Sequence, residues 1–294
     1  MLNIELLGLK LKNPIMVASG TFGWGKEYAD YIDLNQLGAI ITKSITLQAR
    51  AGNPPPRIVE TPSGMLNSIG LQNDGIESFI KNDLPFLAKF ETPTIVNIAG
   101  ESANEYSKLA QLLDKENTVK AIEINISCPN VKKGGMSFGV DAKLTKEVVS
   151  AARKATKKPL IAKLTPNVTD ITVIAKAAVD GGADALSLIN TVVGMAIDIE
   201  TGKSRLGMLT GGLSGPAIKP IAVRMVYEAA HAVKVPIIGI GGIMSGSDAV
   251  EFFLAGAKAV QIGTCNFVDT KAPIRIIQEV ANYVHRHPRA LNFS

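Results

Sequence analysis

Two cysteines, Cys128 and Cys265, are all that the 294 residues contain. Two thiols cannot form a disulfide framework, and they fall short of the four thiolates that hold an iron–sulfur cluster. Any such cluster would have to come from another chain. Aromatic residues are scarce too, at 5%, and the lysines behind the net charge of +5 are scattered. The basic stripe interleaved with stacking rings that marks a nucleic-acid surface is therefore missing, and no nucleic-acid partner is expected. No stretch approaches the roughly 18–20 apolar residues of a membrane span, and residues 1–13 lack the charged and apolar regions of a signal peptide. A cytoplasmic protein without a membrane partner is the expectation. The three histidines, His231, His285 and His287, fall in helical patterns or the C-terminal tail. No His/Asp/Glu cluster has metal-ligand spacing, so no metal is expected. Neither G-x-G-x-x-G at a first strand nor G-x-x-x-x-G-K-[ST] occurs, which removes a dinucleotide fold and a P-loop.

What is present is a core-rich chain, 46% hydrophobic and 19% charged. Its organising stretch is residues 122–130, IEINISCPN. Ile122, Ile124 and Ile126 alternate with Glu123, Asn125 and Ser127, a period of two that marks a strand with one apolar and one polar face. Pro129 lacks a ladder N–H and ends the strand, so Cys128 stands at its C-terminal end. Short apolar runs of the same kind recur at 15–19, 39–43, 94–98, 121–126, 160–164, 185–190, 237–240 and 259–262. Helical patterns lie between most of them, at 26–36, 102–114, 143–155, 171–180, 216–233, 247–255 and 272–285. Alternating β and α units imply parallel strands, and eight of them predict an α/β fold, a closed (β/α)8 TIM barrel. A small hairpin over residues 1–12, turning at Gly8, precedes it. Two stretches interrupt the rhythm after strands 2 and 6. Residues 44–93, with a proline cluster and a helix near 76–89, and the glycine-rich residues 191–215 are too long for simple connections. Both follow strands, so both should overhang the C-terminal rim. No internal repeat appears, and residues 1–294 are read as one domain.

In such barrels the C-terminal rim carries the chemistry. The strands deliver to it Ser19, Lys43 with Ser44, Asn97, Asn125 with Cys128, Lys163, Asn190 with Thr191, Gly241 with Gly242, and Gly263 with Thr264. Two lysines and three asparagines arriving from different strands suit a polar, flat, anionic ligand, because asparagine offers both donor and acceptor. The glycines after strands seven and eight leave bare backbone N–H groups where barrels bind phosphate. With no histidine at a strand top, Cys128 or a lysine is left for proton transfer. The following Lys132-Lys133-Gly134-Gly135 would favour the thiolate. Cys265, past the last glycine loop, reads as a small buried hydrophobe.

Several motifs then coincide: Thr42-Lys43-Ser44, Asn53-Pro54 with Pro56-Arg57, Asn67-Ser68-Ile69-Gly70-Leu71-Gln72-Asn73, Asn125-Ile126-Ser127-Cys128-Pro129-Asn130 and Gly239-Ile240-Gly241-Gly242-Ile243. On these the chain resembles, over essentially its whole length, the class 1 dihydroorotate dehydrogenases, flavoproteins of pyrimidine biosynthesis. Ser63-Gly64-Met65-Leu66, the basic loop at 132–135 with Phe138-Gly139, and residues 210–220 resemble the NAD-linked branch rather than the fumarate-using one. The resemblance implies FMN held by Ser19, Lys43, Ser44, Asn97, Asn125, Lys163, Ile189, Gly215, Gly241, Gly242, Gly263 and Thr264, its phosphate at the last four. It implies dihydroorotate held by Lys43, Asn67, Ser68, Ile69, Gly70, Leu71, Asn125, Asn130, Asn190 and Thr191, with Cys128 as general base and Lys163 stabilising charge on the reduced flavin. It further implies a partner subunit carrying FAD and a [2Fe–2S] cluster that passes electrons to NAD, and a homodimer of this chain within a heterotetramer. Three alternatives stay open on the residues alone: the fumarate-linked enzyme, a phosphosugar aldolase using Lys43 or Lys163 as a Schiff base, and a non-catalytic flavin scaffold.

Overall fold

The computed structural model describes residues 2–127 and 138–291. Cys128, Asn130 and the basic loop at 132–135 lie outside the described residues. Eight parallel strands close a barrel: β3 (Ile15–Val17), β4 (Ala39–Ile41), β7 (Thr94–Ile98), β8 (Val119–Asn125), β9 (Leu160–Lys163), β10 (Ala185–Leu188), β13 (Ile237–Ile240) and β14 (Ala259–Ile262). Around the ring they run in chain order, and β14 pairs back with β3. All eight runs expected from the sequence are these strands, shifted by a few residues at their ends.

Period-two alternation divides each strand between two cores. Val17, Ile40, Val96, Ile122, Ile124, Leu186 and Ile262 face outward into the helices. The helices are α3 (Ala103–Asp114), α4 (Ala142–Ala155), α5 (Ile171–Asp180), α6 (Lys219–Ala232), α7 (Gly246–Leu254) and α9 (Ala272–Arg286), with the one-turn α8 (Cys265–Val268) after β14. Side-chain oxygens of Ser102, Asp141, Asp170 and Ser245 cap the starts of α3, α4, α5 and α7, each satisfying an N–H that the first turn leaves free. The opposite strand faces bring Met16, Ile41, Ile95, Ala121, Ile161, Ala185, Ile238 and Ala259 together inside the barrel. The predicted hairpin, β1 (Ile4–Leu6) with β2 (Leu9–Leu11), packs Ile4, Leu6 and Leu11 against that interior. Gly8, with φ 72, supplies the left-handed turn residue it needs.

The two insertions do more than overhang the rim. Strands β5 (Ile58–Thr61) and β6 (Gly64–Asn67) come from the first, β11 (Val192–Gly194) and β12 (Gly211–Ser214) from the second, and they form one antiparallel sheet in the order β11-β12-β6-β5. The seam is β6 on β12, with Asn67 opposite Gly212 and Met65 opposite Ser214. Gly64 is required there: a Cβ would stand 2.0 Å from the Ser214 carbonyl oxygen. Val59, Leu66 and Leu206 give this sheet a small core of its own.

The helix expected over 26–36 is instead a string of turns ending in a 3-10 turn at Leu34–Gln36. Its single turns, Ala29 N to Gly25 O and Ile32 N to Tyr28 O, do not propagate. The Asp33 carboxylate takes the Asn35 N–H, offering the backbone a local alternative to the helix. The segment near 76–89 is helical but broken, as α1 (Gly75–Ser78), a π turn at Phe79–Asp83 and α2 (Leu84–Leu87). Pro85 has no N–H to return to Lys81, so the ladder must lengthen locally. The helix expected from 216 opens with a 3-10 turn, Pro216–Ile218, before α6.

Candidate functional site

Between the barrel's C-terminal rim and the added sheet is a cavity of about 630 Å³, within the range of cofactor and substrate pockets. Its wall includes Ser19, Lys43, Ser44, Asn125, Lys163, Ile189, Gly215, Gly241, Gly242, Gly263 and Thr264 from the barrel side. Asn67, Ser68, Ile69, Gly70, Leu71, Asn190 and Thr191 line it from the segments beneath and within the roof. Every described residue expected at the site therefore lines this cavity, with one exception. Asn97 is fully buried, its Nδ2 donating to Glu123 Oε1 at 2.6 Å and its Oδ1 accepting from Ser44 Oγ at 2.5 Å. Its amide is engaged below the cavity, and Ser44, on the wall, stands between it and the open space.

Among the described residues, the charged ones lining the cavity, Lys43 and Lys163, are both lysines, so the field inside favours an anion. Lys43 follows β4, and its backbone N–H donates to Gly23 O at 2.9 Å. Lys163 ends β9. Its side chain is 6% exposed, its Nζ donates to Ser19 Oγ at 3.2 Å, and Glu123 Oε1 lies 3.7 Å away. Amides run along the wall from there: Asn190 Nδ2 donates to Asn125 Oδ1 at 3.4 Å, and Asn125 Nδ2 to Ser44 Oγ at 3.4 Å. The Tyr106 hydroxyl, donating to Asn125 O at 2.7 Å, fixes the end of β8 from the helix layer.

The glycine loops after β13 and β14 face the cavity at the far side. Gly241 and Gly242 have φ of 127 and 72, and a Cβ on Gly242 would lie 2.9 Å from Gly215 O. The start of α7 competes for no ligand. Asp248 Oδ2 takes the N–H groups of Met244 and Ser245, Ser245 Oγ takes that of Asp248, and Glu279 takes that of Gly246. Burial pushes the Asp248 carboxyl up, but the Lys219 ammonium at 2.7 Å and these donors outweigh it and hold the group below its ordinary range. Burial pushes the Cys265 thiol up, in keeping with its reading as a packing residue, although it touches the cavity wall.

Sequence reasoning missed several contributors. Asn53 lines the wall, its Nδ2 donating to Ser68 Oγ at 2.8 Å and its N–H to Ile69 O. Asn167 lies under the roof, donating to Thr191 O and accepting the Val193 N–H. Asn73 accepts the N–H groups of Thr46 and Gly75 and donates to Leu71 O, which ties down the turn at Gly70 and Leu71, both at positive φ. Asn53 and Asn73 stood within the quoted motifs, but spacing alone assigns them no partner. Glu123 was visible on the polar face of its strand, with no signal for what it would meet.

The family model for dihydroorotate dehydrogenase matches residues 1–284. The chain is 58% identical over 286 residues to a protein of Geotalea uraniireducens, covering 97% of this chain and 94% of that one. It is 57% identical over 286 residues to one of Pelobacter propionicus, with 97% and 94% covered. To one of Thermoanaerobacter sp. it is 59% identical over 283 residues, with 96% and 93% covered. All three are named dihydroorotate dehydrogenase B (NAD(+)), catalytic subunit. With a family match and relatives over nearly the whole chain, it belongs to the dihydroorotate dehydrogenase family.

Proposed function

We propose that this chain oxidises dihydroorotate to orotate in pyrimidine biosynthesis, with FMN in the roofed cavity and electrons leaving through a partner subunit to NAD. The observation that carries the proposal is the cavity: the lysines, amides and glycine loops of separate strands converge on one space. The fit to a bound cofactor is supported by two glycines. Gly20 and Gly263 line the cavity, and a Cβ on Gly20 would meet nothing within 4 Å while one on Gly263 would meet only Ala18 at 3.8 Å. No protein atom crowds either position, which leaves room for a ligand beside the backbone. Ser19, Lys43, Ser44, Asn125, Lys163, Ile189, Gly215, Gly241, Gly242, Gly263 and Thr264 would hold FMN, with Asn97 acting from below through Ser44.

When bound, FMN supplies the acceptor for the hydride that leaves the substrate ring. The protein does the rest. Lys43 neutralises the substrate carboxylate, a charge-assisted contact that also sets its orientation. Asn67, Asn125, Asn130 and Asn190, with Thr191 and the backbone of Ser68, Ile69, Gly70 and Leu71, match the donors and acceptors of the pyrimidine ring. Cys128, just after the end of β8 in the sequence, takes the proton from the carbon next to the one that loses hydride. Lys163 keeps a positive charge at the cavity floor where negative charge develops. The sheet β11-β12-β6-β5 excludes water from the reacting groups.

The words "catalytic subunit" and "NAD(+)" in the relatives' names support a partner. Two cysteines in this chain leave an iron–sulfur cluster to that partner. We assign it FAD, a [2Fe–2S] cluster and the NAD site, and assign this chain to a homodimer within a cytoplasmic heterotetramer. No described helix is long and apolar enough to cross a membrane. The test is anaerobic: dihydroorotate should bleach the flavin absorbance near 450 nm of the isolated chain, and NAD⁺ should restore it only when the partner is added. Restoration by fumarate alone would assign the other branch of the family. A colourless protein trapped by borohydride would make it an aldolase.

A further inference from the structure

Below the cavity floor lies a polar layer in which the reading above uses Lys163 and Asn97 but gives no role to Glu123, Ser187 or Gln261. Two residues beyond the apolar barrel interior, the same inward faces carry Asn97, Glu123, Lys163, Ser187 and Gln261. Glu123 has no solvent exposure and does not line the cavity. Four donors from four other strands converge on its two oxygens. Asn97 Nδ2 from β7 is 2.6 Å from Oε1, and Lys163 Nζ from β9 is 3.7 Å from the same atom. Ser187 Oγ from β10 and Gln261 Nε2 from β14 reach Oε2 at 2.8 and 2.7 Å. This suits a carboxylate, which only accepts.

A buried ion pair is a poor source of stability, because desolvation offsets its attraction, but it fixes geometry well. Both contacts of Glu123 Oε1 lead on to the cavity. Lys163 continues to Ser19 Oγ at 3.2 Å, and Asn97 continues to Ser44 Oγ at 2.5 Å. Ser19, Ser44 and Lys163 all stand on the wall. We propose that Glu123 is a positioning residue: from outside the cavity, its carboxylate holds the Lys163 ammonium, and through Asn97 the Ser44 hydroxyl, in fixed places on the cavity wall. Carried over to the bound flavin, which rests on the function proposed above, it governs how firmly the Lys163 charge is aimed at the cofactor. It does so through Lys163, not by its own field.

Redox titration of FMN-loaded protein tests this with Glu123→Gln, Lys163→Met and the double variant. Lys163→Met should lower the midpoint potential, because a positive charge beside the electron-rich reduced form is gone. Glu123→Gln should lower it by a smaller shift, and the double variant should match Lys163→Met. A purely structural role for Glu123 would move the melting temperature and leave the potential alone, which overturns the inference. A rise in potential in Glu123→Gln would also overturn it, since the carboxylate would then act by its own charge, as would shifts that add in the double variant. If Glu123→Gln does not fold, Ser187→Ala, which removes one donor and lies off the cavity wall, should give a shift of the same sign; no shift there counts against the proposal. Protein that takes up no FMN, or a potential unmoved by Lys163→Met, overturns the function reading and this inference with it. A shift in Lys163→Met with none in Glu123→Gln overturns the inference alone.

Discussion

The two ends of the barrel are built from the same eight strands and opposite chemistry. At the N-terminal end the inward residues are aliphatic, and a hairpin's Ile4, Leu6 and Leu11 close over them. At the C-terminal end the same faces, a few residues further on, carry Lys43, Asn97, Glu123, Asn125 and Lys163. One end is filled with side chains that need only each other. The other is filled with groups that hydrogen-bond in chains and leave a cavity above them. Stability and function are thus separated along the barrel axis, in line with the division seen in this fold generally.

That separation can be broken at either end. The largest effect is expected at the top: Cys128→Ser should bind FMN normally yet reduce it with dihydroorotate about 10²–10⁴-fold more slowly at pH 7, recovering as pH rises. Stopped-flow absorbance at 450 nm measures this, and a near-normal rate at pH 7 would remove Cys128 from the mechanism. At the bottom, Ile95 is 1% exposed inside the barrel, and Ile95→Ala should cost about 2–5 kcal/mol in a denaturant titration. Once folded, this variant should keep its affinity for FMN; a parallel loss of affinity would mean that the two ends are coupled.

Lys43→Ala should weaken dihydroorotate binding by about 1.5–3 kcal/mol, the worth of a hydrogen bond to a charged group, and Lys43→Arg by less. Equal Michaelis constants for the two variants would place Lys43 against the cofactor only. The smallest effect lies outside the comparison, as its control. Asp248 has a carboxyl held below its ordinary range in the folded protein. Its stabilisation is complete above the unfolded value of about 3.9 and disappears as pH falls through the lower folded one. Asp248→Asn should therefore melt earlier than wild type at pH 6, by under about 1 kcal/mol, with the gap closing below pH 4.

Much of the barrel was readable in the chain because each strand is a short apolar run ended by a polar residue, glycine or proline. Such local signals do not depend on partners. The C-terminal rim was readable for the same reason, since parity and strand ends together determine which residues reach it. What could not be read depends on pairing at a distance. Nothing in residues 64–67 announces that they will pair with residues 211–214, and nothing around Glu123 names Ser187 or Gln261. Asn97 shows the same limit: it stands near the end of β7, but its amide is spent on Glu123 and Ser44 and it does not line the cavity. The turns over 26–36 were misread because an amphipathic pattern carries no record of Asp33 drawing the Asn35 N–H away from a helix.

The seam between β6 and β12 has a consequence for how the protein is made. Asn67 Nδ2 donates to Gly212 O across 145 positions of sequence. During synthesis the first insertion leaves the ribosome long before its partner strand exists, and at about 5–20 residues per second the wait lasts several seconds or more. Throughout that interval β5 and β6 present an unpaired edge, the kind of surface that recruits other chains. The cavity gains its cover only when the sixth barrel unit emerges, so competence to hold a ligand under that cover is a late event in the life of the nascent chain.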